Sequence, residues 1–290
     1  MLILSQLDSW PRPRRNMYFP VAPEGSPSCG MSTADFEPVT SGDTAPERAW
    51  PWFALIGAHE HNRTYLCGGT LLSAQWILTA AHCLKTKMGV LLGSVRKLQT
   101  FDNFTVGRKV LKKFGHRQYN KTGLNPHAFD IALLQLDAPV TFTPLIQPAC
   151  LPANLTEDGF RFIDCYLTGY GFRQKGERAL PQSMQELKVK LMDHAKCTKY
   201  WRHFKDHQMC AEFNNNPQAG SCRGDSGGPL SCIAPGRPFF ITGIVSGGNG
   251  TCERRVKPDF YVNVAYFKDW ILKTIKDEVG SLPPPLDGSL

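Results

Sequence analysis

Nowhere in the 290 residues do about eighteen apolar residues follow one another, so the sequence holds no membrane-spanning helix of ordinary length. No standard secretory leader is visible either: Met1 to Leu7 is a short apolar run ended by Asp8, and no Ala-x-Ala-like cleavage site follows. That absence sits badly with the secretory features below, and the expectation is an incomplete 5′ end or a missing upstream domain. The ten cysteines contain no close Cys-x-x-Cys pair, which removes the usual spacing of a zinc site. Helical periodicity is scarce. Charge is not strongly one-sided either: 33 Lys and Arg against 25 Asp and Glu leave +8, which permits an acidic partner without naming one.

With 42% hydrophobic and 20% charged residues, the chain can bury a sizeable core. All-β barrels run to roughly 250 residues as one domain, so one domain with flanks fits better than two equal ones. The expected division is an N-terminal and pro-segment 1–38, a folded domain 39–277 and a tail 278–290. Arg12, Arg14 and Arg15 stand among prolines, and 23–38 is Pro- and Ser-rich around Cys29, so the first stretch is expected to be largely disordered. Pro283, Pro284 and Pro285 give the tail the same expectation. An even cysteine count favours disulfides and an oxidising compartment. Asn62, Asn103, Asn120, Asn154 and Asn249 each begin an Asn-x-Ser/Thr sequon, and together they favour a secreted, extracellular glycoprotein. Nucleic acid is a poor partner for such a chain.

From Trp50 onward short apolar runs are broken by turn residues. Residues 53–56, 66–72, 76–79, 90–92, 131–136, 239–246 and 260–264 are strand-sized and β-rich, and their spacing predicts an antiparallel sandwich or barrel. One helix is clear from periodicity: Phe267, Trp270, Ile271, Thr274 and Ile275 share a face, with Lys268, Asp269, Lys273 and Lys276 opposite. Residues 108–117 hold five Lys or Arg and His116. With Arg254, Arg255 and Lys257 they suggest a heparin-like anion site, although a solvated basic face is the favoured reading.

The chemistry is concentrated in Cys222-Arg223-Gly224-Asp225-Ser226-Gly227-Gly228-Pro229-Leu230. A serine hydroxyl is a poor nucleophile without a base and an orienting acid. Upstream, Ala80-Ala81-His82-Cys83 closes an apolar strand, and Asp130 opens another. Singly, each has a bland reading: a packed histidine, a strand cap, a Gly-rich turn. Their order, His then Asp then Ser, is that of chymotrypsin-like proteases. With these motifs, residues 39–276 resemble the trypsin/chymotrypsin family of serine endopeptidases.

The resemblance implies an all-β fold of two packed six-stranded antiparallel β-barrels with a C-terminal α-helix, and an intermediate helix near 193–201. It implies catalytic residues His82 as base, Asp130 as its orienting acid and Ser226 as nucleophile, with an oxyanion hole from the N–H groups of Gly224 and Ser226. Ser246 and Gly248 would pair with the substrate backbone, where Gly247 replaces a customary Trp. It also implies disulfides Cys29–Cys150, Cys67–Cys83, Cys165–Cys232, Cys197–Cys210 and Cys222–Cys252, the first tethering the pro-segment. No metal or cofactor is expected, since 93–103 lacks the paired glutamates of calcium-binding relatives. Partners would be protein or peptide substrates, with a protein inhibitor or an activating cofactor.

Two departures shape the functional expectation. The activation switch would join the freed N-terminus of Val39 to Asp225, but Glu37 and Pro38 precede Val39, so no trypsin-like cut is expected. The chain as written is therefore expected to be zymogen-like, activated by an unusual protease or a cofactor that shifts the population. The specificity pocket has Gly220 and Ser221 on one wall and Asp259 on the other. A buried carboxylate favours an incoming cation, hence a basic residue at the cleavage position, Lys ahead of Arg. A carboxyl neutralised by a raised pKa would instead accept apolar side chains, as chymotrypsin or elastase does. A latent or non-catalytic binding protein on the same fold is the other-class alternative.

Overall fold

A computed structural model describes residues 29–32, 43–46, 48–61, 63–93, 104–123, 125–152, 164–172, 179–213, 220–248, 258–283 and 286. Val39, Cys252, four of the five sequon asparagines and the basic residues Arg254, Arg255 and Lys257 lie outside them. Asn120 is the described sequon asparagine. It is exposed, and its Oδ1 accepts from Thr122 N and Oγ1, both at 3.0 Å.

After a two-residue strand β1 (Asp43–Thr44) come β2 (Phe53–Glu60), β3 (Arg63–Ser73), β4 (Trp76–Thr79), β5 (Lys87–Leu92), β6 (Val106–Gly115) and β7 (Ala132–Leu136). These six close into an antiparallel barrel in the order β2-β3-β4-β7-β6-β5. Next follow β8 (Asp164–Gly169), β9 (Gln185–Leu191), β10 (Gln208–Phe213), β11 (Pro229–Ile233), β12 (Phe240–Gly247) and β13 (Asp259–Asn263). They close a second barrel because β9 pairs with β8 as well as with β10, while β1 lies along β9. The expected fold is therefore the one observed.

Several strands are longer than their apolar runs. The ladder continues through Glu60 and Arg63 at the β2–β3 hairpin, where side chains face water and hydrophobicity gives no signal. Strand β6 lay hidden in the basic cluster, because its outward side chains are mostly Lys and Arg. Those cations have work within the fold. Arg108 donates to the carbonyls of Gly107, Ala138 and Pro139, Lys112 pairs with Glu278, and Lys113 Nζ donates to the carbonyls of Lys85 and Thr86.

The first barrel packs onto the second through aromatic rings: Trp50, Trp52, Tyr166 and Phe239 have centroids 5.2–6.3 Å apart in their contacts. Trp52 Nε1 crosses the interface to donate to Ser231 Oγ at 3.0 Å, so its polar edge is satisfied while its ring is buried. The intermediate helix runs His194–Tyr200, capped by the Asp193 carboxylate, which accepts from Lys196 N at 2.6 Å. The C-terminal helix spans Lys268–Val279, buries Ile271 and Ile275, and ends at left-handed Gly280. It runs two residues past the expected domain end. Leu286, within the expected disordered tail, is 3% exposed and packs in the core, so the tail reading does not hold at that residue.

Disulfides join Cys29–Cys150, Cys67–Cys83, Cys165–Cys232 and Cys197–Cys210, as the resemblance implied. Cys222 is also disulfide-bonded; its expected partner Cys252 lies outside the described residues.

Candidate active site

His82 sits in a 3-10 turn, Ala81–Cys83, at the end of β4, where the Cys67–Cys83 disulfide ties that turn back to β3. Lys85 Nζ donates to His82 O at 3.0 Å and holds the turn from outside. Asp130 lies just ahead of β7 and is fully buried. Its carboxylate accepts three hydrogen bonds: His82 N at 2.8 Å on Oδ1, and His82 Nδ1 at 2.7 Å and Ser246 Oγ at 2.6 Å on Oδ2. A buried carboxylate is tolerable only when so satisfied. With Nδ1 on the carboxylate, the imidazole presents Nε2 as the free basic nitrogen. Tyr119 stands nearby, its hydroxyl pKa pushed up to about 12 by burial and by the Asp130 charge.

Ser246 reaches Asp130 because β12 bulges. Val245 pairs with Tyr261 and Gly247 with Phe260, which leaves Ser246 as an extra residue turned toward the first barrel. The expectation for Ser246 was backbone pairing with substrate; its side chain has this additional task, which the sequence alone does not reveal.

Ser226 lies in the turn before β11, held on both sides by main chain. Gly68 N donates to Ser226 O at 2.7 Å, and Gly227 N donates to Val245 O at 2.8 Å. The first contact ties the Ser226 turn to the barrel carrying His82. It is possible because a Cβ on Gly68 would sit 2.6 Å from Gly228 Cα. Gly224 has φ +106, a conformation open to glycine, and its N–H and that of Ser226 belong to the same turn. Asp225 is buried and accepts from Gly171 N at 2.7 Å on Oδ1 and from Cys222 N at 2.9 Å on Oδ2. The segment Gly169-Tyr170-Gly171 was missed in the sequence. A Cβ on either glycine would fall on the Asp225 carboxyl, so the Gly-x-Gly spacing was the available signal.

Of the residues expected at the specificity pocket, Ser221 does meet Asp259. Ser221 N and Oγ both donate to Asp259 Oδ2, at 2.8 and 2.7 Å, and Asp259 is fully buried. Ser221 looked uninformative in the sequence. It in fact donates twice to one oxygen of the buried carboxylate. Gly248 is half-buried, just beyond the end of β12.

A histidine held by a buried carboxylate on one β-barrel, with a serine in a Gly-rich turn of the other, is the arrangement of a chymotrypsin-like serine protease. The family model described as Trypsin matches residues 39–271. The chain belongs to that family. It is 34% identical over 242 residues to Transmembrane protease serine 9 of Rattus norvegicus, a match that takes in 81% of this chain but 22% of that protein. The chain thus spans about a fifth of that relative's length. Among solved structures it is similar to neuropsin, a serine protease expressed in the limbic system of mouse brain, with TM-score 0.70 and 29% identity over 82% of this chain and 100% of the other.

Proposed function

We propose that this chain is a secreted serine endopeptidase acting through an acyl-enzyme. The observation that carries the reading is Asp130, buried and committed through three hydrogen bonds to His82 and Ser246. Ser226 Oγ attacks the peptide carbonyl carbon while His82 Nε2 takes its proton. The tetrahedral oxyanion is met by the N–H groups of Gly224 and Ser226, where losing one such donor costs about 10²–10³ in rate. As the C–N bond breaks, His82 returns the proton to the leaving amine. Water then enters by the same base and releases the acid, restoring Ser226. The substrate backbone pairs with Ser246 and Gly248 as an added strand.

Latency follows from the sequence before Val39: Glu37-Pro38 is not a trypsin-like cut, so the uncleaved chain stays zymogen-like until an unusual protease or a cofactor acts. Glycosylation at the five sequons fits the secretory address. The basic cleavage preference, Lys ahead of Arg, rests on the Asp259 charge opposite Gly220. A second reading, an apolar preference, is favoured by the full burial of Asp259 and its two hydrogen bonds from Ser221.

The test uses two preparations of the full chain, one native and one with an enteropeptidase sequence in place of residues 34–38, each treated with a fluorophosphonate probe. Labelling of the cleaved form at Ser226, lost in Ser226→Ala, supports the enzyme, and weak labelling of the uncleaved form supports latency. A folded, cleaved protein that takes no probe is instead a binding protein. Peptide-library profiling of wild type and Asp259→Gly then separates the two pocket readings.

A further inference from the structure

Asp130 is delivered to His82 by a backbone that is strained one residue earlier. Phe129 has φ +55, a left-handed conformation that a bulky side chain rarely adopts. Such a conformation persists only where the surroundings over-determine it, and here the surroundings are two histidines. The Phe129 ring is stacked between His116 and His207, at centroid distances of 5.1 and 4.3 Å and interplanar angles of 13° and 15°. His116 comes just after β6 and His207 just ahead of β10, so the stack joins the two barrels beside Asp130. Phe267 meets all three rings edge-on, 5.3 Å from His116, 5.9 Å from Phe129 and 6.2 Å from His207. The main chain adds a second tie. His116 N donates to Ile131 O at 3.0 Å, so the residues on both sides of Asp130 are held by His116.

Both histidines suit this task as neutral rings. His116 Nδ1 accepts from Gln118 N at 3.3 Å, a bond that a proton on Nδ1 abolishes. His207 is 6% exposed and its Nε2 has no hydrogen-bond partner among the described residues, so a charge on that ring would be buried with an N–H that donates to nothing. Burial is the largest cause lowering the pKa of each below the ordinary histidine value. Their charged neighbours divide. Arg117 opposes a proton on His116, while Lys205 and His116 oppose one on His207 and Asp206 favours it. Asp206 also pairs with His194 Nε2 at 3.2 Å. Trp270, 5.2 Å from His116, and Tyr266, 5.8 Å from His207, supply further ring contacts.

We propose that His116 and His207 are positioning residues for Asp130: as uncharged rings they clamp Phe129 and so hold the carboxylate against His82, and a proton on either ring releases the turn. The proposal rests on the peptidase reading above. Neither histidine touches a reacting atom, and their effect is read as a response to acid. The clamp is complete above the unfolded histidine value of about 6.5 and is lost as pH falls through the lowered folded values. Protonation of the base His82 accounts for one proton in the acid limb of kcat/KM. The clamp adds at least one more.

The test uses the full chain with the enteropeptidase sequence, cleaved, with active molecules counted by Ser226 labelling at pH 7.5. On one peptide, log(kcat/KM) of the wild type is expected to fall with a slope of about two or more between about pH 6 and 5, through kcat more than KM, while circular dichroism still reports the barrels. His207→Ala, which removes the ring, should lower kcat at pH 7.5 by about tenfold to hundredfold. His207→Phe restores a ring that has no site for a proton. It should regain most of that rate and, combined with His116→Phe, bring the slope down to about one. A wild-type slope of about one overturns the clamp, as does a double variant as steep as wild type, a ring-less His207→Ala with full kcat, or an acid loss that coincides with unfolding of the barrels. A cleaved protein that takes no label at pH 7.5 defeats the underlying peptidase reading instead.

Discussion

Asp130 has no exposure, so each donor it holds bears on the imidazole behind which it sits. Ser246→Ala removes one donor, a hydrogen bond to a charged group worth about 1.5–3 kcal/mol. We expect kcat/KM of the cleaved protein to fall about tenfold to hundredfold with KM little changed, as steady-state kinetics on one peptide will show. Unchanged kcat would mean that the two bonds from His82 suffice. Gly171 permits a different contact. Because a Cβ there would fall on the Asp225 carboxyl, Gly171→Ala should displace Asp225 and disorder the turn that carries Gly224 and Ser226. Probe labelling of Ser226 is expected to be lost even after cleavage, while circular dichroism still reports the barrels; full labelling would show that the turn does not need that carboxylate. Both triad partners were legible as residues beside short motifs. The donors that support Asp130 and Asp225 were not, since Ser246 is 116 positions from Asp130 and Gly171 is 54 from Asp225.

At the scale of an element, the turn 125–129 carries strain that its packing offsets. Phe129 has φ +55, unusual for a bulky residue. Its ring is stacked between His116 and His207, with centroids 5.1 and 4.3 Å away. Phe129→Ala should destabilise the fold by about 2 kcal/mol or more and lower kcat as well, because Asp130 follows directly; urea unfolding and kinetics read the two effects. The neighbouring histidines make the element acid-sensitive. His116, His127 and His207 all have lowered pKa values, burial being the largest cause at each. Arg117 faces His116, Asp130 and His82 face His127, and Asp206, Lys205 and His116 face His207. With folded pKa values below the unfolded value of about 6.5, the unfolded chain binds more protons between the two. The stability these groups confer is therefore complete above about pH 6.5 and is lost as pH falls through the folded values. The urea midpoint should be lower at pH 5 than at pH 7.5, and His207→Phe, which removes a buried Nε2 without a hydrogen-bond partner among the described residues, should shrink the difference. A midpoint that is the same at both pH values would count against it. None of this turn was legible in the sequence: Pro126, His127 and Ala128 show no periodicity, and the rings on either side of Phe129 come from outside the turn.

For the whole molecule, the Cys29–Cys150 disulfide spans 121 positions and ties the N-terminal segment to the body. Cleavage after residue 38 should therefore leave one species on a non-reducing gel and two after reduction; release of the N-terminal piece without reductant would show that the tether is absent in solution. The chain order of the triad was readable before any coordinates from short motifs around His, Asp and Ser, whereas the two-barrel fold and the disulfide pairing followed only from the family those motifs resemble; four of the pairs are observed. Strand β6 was not readable, since its outward cations mask its period, nor was the docking of Leu286. The sequence by itself determined the family and which His, Asp and Ser match its motifs. The tertiary structure alone decided how those residues are held: Ser221 on Asp259, Ser246 on Asp130, and Gly171 on Asp225. Those outcomes depend on which distant segments the closing of two barrels brings within hydrogen-bond or ring-contact distance, and no local pattern encodes that.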